Sequence, residues 1–270
     1  MKKSITFLCF IIFSFFAKAQ GDSLFRLTRT YHEEVADVAV DNLGNIYLLT
    51  VSDAIKKLNP AGDSVGVYNE VKRFGKLSSI TVSNPLKILL YYKDFSKIVV
   101  LDRQLSVRSV VDLRKHNILQ TSAIGLSYDN NIWLFDEYEN KLKKIDEEGN
   151  ILMQTDDFRN LFSTLVVPQQ IIDEAETVYL YDSAAGILAF DHYGTFKKKI
   201  PIKGWKNISV TNNIITGISD NSVQYYNTSN LMQSSRRLPS ATVDQTNFYI
   251  RSNKLFAWSK DGLRIYTNPF

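Results

Sequence analysis

Between residues 130 and 150 the chain reads N-N-I-W-L-F-D-E-Y-E-N-K-L-K-K-I-D-E-E-G-N. An apolar run at 132–135 is followed by a polar stretch opened by Asp136. A second, alternating run at 142–145 then ends in a turn from Asp146 to Gly149. Two β-branched or aromatic runs, each closed by Asp, Asn or Gly, predict consecutive antiparallel strands. The same pattern recurs five more times. Counterparts of Ile132-Trp133-Leu134 start at Ile46, Ile88, Val178, Ile214 and Leu255, at successive offsets of 42, 44, 46, 36 and 41 residues.

A second strand follows each of these, at 55–58, 98–101, 142–145, 187–190, 223–226 and 263–266. Five of the six run directly into Asn59, Asp102, Asp146, Asp191 or Asn227. A third strand precedes the pair, as at 38–40, 80–82, 124–126 and 208–210. A fourth follows, as at 64–68, 106–111 and 196–200. Four short strands repeated about every 40 residues mark a β-propeller blade. A lone meander cannot bury both faces, whereas blades stacked in a ring bury each against its neighbours.

The predicted fold is therefore all-β: a six-bladed β-propeller of four-stranded antiparallel blades. The sixth unit runs out of chain after three strands, and residues 23–29 supply the missing outer strand, so that an N-terminal strand closes the last blade. No sustained helical period competes. Residues 156–164 fit one short helical turn between units.

Composition changes the picture at the N-terminus. Lys2 and Lys3, an apolar stretch at 7–16 and Ala17-Lys18-Ala19 form a secretory signal peptide, too short to span a bilayer. Cleavage near Ala19 leaves residues 20–270 as a single propeller domain, periplasmic or extracellular, with no transmembrane span. The only cysteine, Cys9, leaves with the leader, so no disulfide supports the fold. Loss of Lys2, Lys3 and Lys18 lowers the formal net charge from +4 to +1, which removes the electrostatic case for nucleic acid as a partner.

Residues Asp136 to Gly149, D-E-Y-E-N-K-L-K-K-I-D-E-E-G, resemble the repeat of NHL-type propellers, where Asp, Asn, a basic residue and an apolar alternation lead to Asp-x-x-Gly. Asp182 to Gly194 matches in part; Asn59 to Gly62 and Asp102 to Leu105 keep only the closing turn. The resemblance is to exported bacterial six-bladed NHL-like propellers, which include scaffolds, sugar or peptide binders and a few hydrolases or lyases. Fold alone does not choose among them.

A propeller binds mostly on the face bearing the loops between second and third strands and the connections between blades. Each of those six loops carries an Asp: Asp53, Asp94, Asp136, Asp182, Asp220 and Asp261. The carboxylates either cap their own turns or ring the channel as a Ca2+ site. Glu34, Asp136 and Asp182 are the metal candidates. Ligand candidates on this face are Tyr91, Tyr92, Asp94, His116, Asp136, Tyr138, Asp182, Trp205 and Trp258, the aromatics suiting sugar faces or apolar side chains. Phe95 belongs with them. The two tryptophans equally suit packing between blades.

His32 and His116 both fall in connections between blades, whereas His192 falls in a turn of the opposite face, so the three do not make a metal site. No catalytic serine motif or phosphate-binding loop occurs. Lys197, Lys198 and Lys199, with Lys203 and Lys206, then Arg236, Arg237, Arg26 and Arg29, place positive charge on successive outer strands. There it suits either docking to an anionic surface or the blocking of a bare sheet edge.

The expected function is a non-enzymatic binding or protein-interaction scaffold, engaging a protein or carbohydrate of the cell envelope, with no cofactor. The alternative is a metal-dependent lactonase or hydrolase of the gluconolactonase type. Glu34 stands where that family's Glu enters the first blade, but Val35-Ala36 follows in place of Gly-Pro.

Overall fold

The computed structural model describes residues 25–267 apart from Val243 and Ser252; the expected signal peptide at 1–19 lies outside the described residues. Six four-stranded antiparallel sheets form a ring. Blade 1 runs from inner to outer strand as Val35–Val40, Ile46–Thr50, Ile55–Leu58 and Ser64–Tyr68. Blade 2 follows as Ser79–Asn84, Lys87–Tyr92, Lys97–Leu101 and Val107–Asp112. Blade 3 is Thr121–Leu126, Ile132–Asp136, Lys141–Ile145 and Ile151–Gln154, and blade 4 is Gln170–Glu174, Thr177–Asp182, Gly186–Phe190 and Phe196–Ile200. Blade 5 is Lys206–Thr211, Ile214–Ser219, Ser222–Asn227 and Gln233–Arg237.

Blade 6 has three strands from the C-terminal end, Asn247–Arg251, Lys254–Ser259 and Gly262–Thr267, and takes Arg26–Tyr31 as its outer strand. That strand pairs with the last one from Arg26 opposite Thr267 to Tyr31 opposite Leu263. The closing strand thus starts three residues and ends two residues after the predicted 23–29, because its register is decided by the partner strand, not by its own pattern.

Burial explains the repeat. The second and third strands are covered on both faces by adjacent blades, so they read as near-continuous apolar runs. Lys87–Tyr92 and Ile132–Asp136 are buried at every position. Outer strands face solvent, and Phe196–Ile200 is exposed at all but its last residue. Six separate apolar clusters result, one at each blade interface, and Trp133, Phe135, Leu180 and Phe190 form part of the one between blades 3 and 4. One repeat anchor shifts. Ile215, not Ile214, pairs with Tyr226 and is fully buried, while Ile214 is 37 % exposed. Two adjacent isoleucines made the pattern ambiguous by one residue, and a slip of one reverses every side chain.

The turns closing the third strands have a common mechanism. One carboxylate oxygen of Asp191 accepts from the N–H groups of Tyr193 (2.9 Å) and Thr195 (2.8 Å), and Asp102 does the same with Gln104 and Ser106. The fourth residue takes positive φ, +94° at Gly149 and +84° at Gly194. These turns also press against the preceding blade. A Cβ on Gly149 would lie 2.4 Å from the His116 ring.

Candidate functional site

Connectivity defines two faces. The loop face carries the turns between second and third strands and the connectors between blades; the turn face carries the other turns. Sequence reasoning placed its candidates on the loop face, and the structure separates them by burial.

Tyr91, Tyr92, Trp205 and Trp258 are buried, from 2 % to 7 % exposed, which takes them off the rim. Tyr91 donates its hydroxyl proton to Thr121 O (3.1 Å), and burial pushes its phenol up to about 12. Tyr92 packs on Phe74, with ring centres 5.3 Å apart. Trp205 lies over Gly217, where a Cβ would meet the indole at 3.0 Å. Trp258 packs between blades 6 and 1, and its Nε1 donates to Ala36 O (3.4 Å). The large rings are consumed by blade interfaces, which need volume that aliphatic residues do not supply. His116 is half-buried against the Gly149 turn.

The six loop carboxylates are not equivalently placed. Asp136 and Asp182 are the last residues of their strands, whereas Asp53, Asp94, Asp220 and Asp261 come later, within the loops. Asp136 is fully buried. It accepts from the N–H groups of Tyr138 (3.0 Å) and Glu139 (3.2 Å) and from Lys143 Nζ (2.7 Å), itself buried. Asp182 accepts from the N–H groups of Val167, Ala184 and Ala185 at 2.8–3.0 Å, and so ties down the long connector at 155–169. Glu34 is exposed in the connector entering blade 1. Among the described residues no group of three or more His, Cys, Asp or Glu is arranged to hold a metal ion, and Glu34, Asp136 and Asp182 are not brought together as one. Asp37, on the inner strand of blade 1, was missed. It is accessible to water yet surrounded by protein atoms, and this burial raises its carboxyl despite the bond from Val38 N (2.8 Å).

Tyr138 (69 % exposed) and Asp94 remain on the surface, and they have unexpected company. Phe95, Leu119, Leu161 and Leu165 are all exposed in loops of the same face, spanning blades 2 to 4. Lys93 and Glu137 pair across this arc at 3.4 Å. At its blade-4 end a crevice of about 200 Å³ opens between the blade-3 loop and the 155–169 connector, lined by Asn140, Phe158, Arg159, Phe162 and Leu165. The helical turn Phe158–Leu161, capped by Asp157 accepting from Arg159 N, supplies Phe158 to the core and turns Leu161 outward. The length of this connector was the available signal. On the outer edge, the basic residues of Phe196–Ile200, Gln233–Arg237 and Arg26–Tyr31 do lie on three successive outer strands, but Lys206 begins an inner strand and does not belong to that edge.

The geometry defines the class: a six-bladed β-propeller. No family model matches the chain, and no curated protein matches it by sequence. Solved structures of similar shape do. A catalytically inactive variant of virginiamycin B lyase from Staphylococcus aureus, solved with quinupristin, is 14 % identical at a TM-score of 0.62, covering 90 % of this chain and 99 % of that one. The Pan2 WD40 domain of Neurospora crassa is 11 % identical at 0.60, covering 89 % and 91 %. PorZ of Porphyromonas gingivalis, a surface component of the type-IX secretion system, is 12 % identical at 0.55, covering 86 % of this chain and 30 % of that one. At these identities the likeness is one of fold. Among the described residues no helix is long and apolar enough to cross a membrane.

Proposed function

We propose that this chain is exported by its leader and serves as a non-enzymatic binding module, docking a partner protein of the cell envelope on the loop face of blades 2 to 4. The carrying observation is the set of exposed apolar side chains on this face, Phe95, Leu119, Tyr138, Leu161 and Leu165, with a crevice lined by Phe158 and Leu165 at its blade-4 end. Apolar groups held in water and rimmed by charge are what a protein interface buries. The carboxylates of this face support binding over metal chemistry, because Asp136 and Asp182 are committed to their own turns and to Lys143. Propellers of this shape include an enzyme as well as other modules, so the site and not the fold bears the argument.

A photo-crosslinking side chain placed at Tyr138 or Leu165 should yield one discrete protein adduct in the intact envelope. The same probe at Tyr193, 87 % exposed on the turn face, should not. Equal adducts at both faces, or none at Tyr138 and Leu165, would sink the proposal.

A further inference from the structure

A cavity lies on the other face, between blades 6 and 1, and of the candidate functional residues singled out in the sequence only Arg29 lines it. Its volume is about 430 Å³, within the range of small-molecule sites. Its floor is apolar: Val40, Ile46, Phe256 and Ile265 are each 2–5 % exposed. Its rim carries three cations, Arg29 from the closing strand and Arg251 and Lys254 from blade 6.

One carboxylate lines the cavity, and it is already occupied. Asp41 is 1 % exposed and accepts from Leu43 N, Asn45 N, Asn45 Nδ2 and the Tyr47 hydroxyl, at 2.7–3.1 Å. Four donors on two oxygens leave it little to offer a cation. Arg29 Nη1 donates to the Tyr31 hydroxyl (3.1 Å) and Pro60 O (3.5 Å), and Arg251 Nη1 to the Tyr249 hydroxyl (3.2 Å). Among the described residues none of Arg29, Arg251 and Lys254 makes an ion pair. Like charges gathered around one concavity repel, and an anion between them relieves the repulsion. Guanidinium groups bind carboxylate or phosphate through paired N–H donors, and the floor excludes water from an apolar body.

We infer that this cavity binds a small amphiphilic anion, a carboxylate or phosphate group carried on an apolar body. The head group sits among Arg29, Arg251 and Lys254, and the body lies against Phe256 and Ile265. The site is built by ring closure, since its walls come from the first strand, from blade 1 and from blade 6. It is independent of the loop-face docking proposed above.

The test uses the full mature chain and calorimetric titration with octanoate, octyl phosphate, octanol and inorganic sulfate. Octanoate or octyl phosphate should bind saturably, more tightly than either octanol or sulfate, and whichever binds more tightly identifies the head group. Arg251→Gln with Lys254→Gln should weaken that binding by about tenfold or more, at unchanged thermal midpoint, and added salt should weaken it further. Should the double variant fail to fold, Lys254→Glu alone carries the test, since it alters one half-buried rim position. Three results would overturn the inference: no saturable binding of either anion up to roughly 10 mM, equal affinity for octanol, or unchanged affinity in the charge variants.

Discussion

Asp136→Asn isolates the most deeply buried ion pair among the described residues. The Asp136 and Lys143 side chains are 0 % and 2 % exposed, and their charged atoms lie 2.7 Å apart. Asparagine keeps an acceptor for the turn N–H groups but removes the negative charge. Breaking a buried pair by removing one partner costs about 3–5 kcal/mol, because the other charge stays buried without compensation. Here Glu139 also reaches Lys143, at 3.1 Å, from a 38 % exposed position, and takes up part of that loss. The expected destabilisation is therefore about 2–4 kcal/mol, or roughly 5–15 °C in thermal midpoint for a domain of this size. Urea denaturation followed by tryptophan fluorescence reads it. Adding Lys143→Met should restore at least half of the loss, since the buried cation then goes too. Asp94→Asn, on an exposed carboxylate of the same face, should stay within about 0.5 kcal/mol of wild type. If Asp136→Asn also stays within about 0.5 kcal/mol, the pair does not hold this loop. If the destabilisation appears only with calcium present, Asp136 is a metal ligand and the assignment to packing fails.

Two further outcomes follow from local geometry. Gly149→Ala should cost about 2–3 kcal/mol, and adding His116→Ala should recover all but roughly 1 kcal/mol, the part due to φ +94°; no recovery would mean that the ring contact is not the cause. For Asp129, burial alone would raise the carboxyl, but hydrogen bonds from Lys144, Ser127 and Asn131 outweigh it and hold the group at about 2. Its stabilising contribution is thus present above the unfolded-state value of about 4 and lost as pH falls towards 2, so Asp129→Asn should flatten the stability curve across that window and nowhere else.

The fold was legible in the chain because a propeller repeats its burial pattern in sequence. Runs such as the apolar 132–135 stretch are covered by two neighbours, and Asp191 and Asp146 each close a hairpin by capturing their own backbone. These are local or periodic facts, and a single blade suffices to reveal them. The closing strand was also foreseeable, since a three-stranded last unit leaves one edge to be filled.

The candidate site was not legible in the same way. Trp205 and Tyr138 are both aromatic residues in loop-face segments, yet one lies over Gly217 and the other stands 69 % exposed. Which of them reaches solvent depends on how the blades pack, as Trp205 shows by lying among residues of blades 4 and 5. Asp136 could be read as a turn cap or as a ligand, and Lys143, seven residues on, gives no hint in the sequence that its ammonium turns inward. Arg29 and Arg251 are 222 residues apart and meet only because the ring closes. The chain by itself determined its strands, its turns and the number of its blades. Burial between blades and the joining of first blade to last are relations between distant segments, and the tertiary structure alone decided which side chains were left to act.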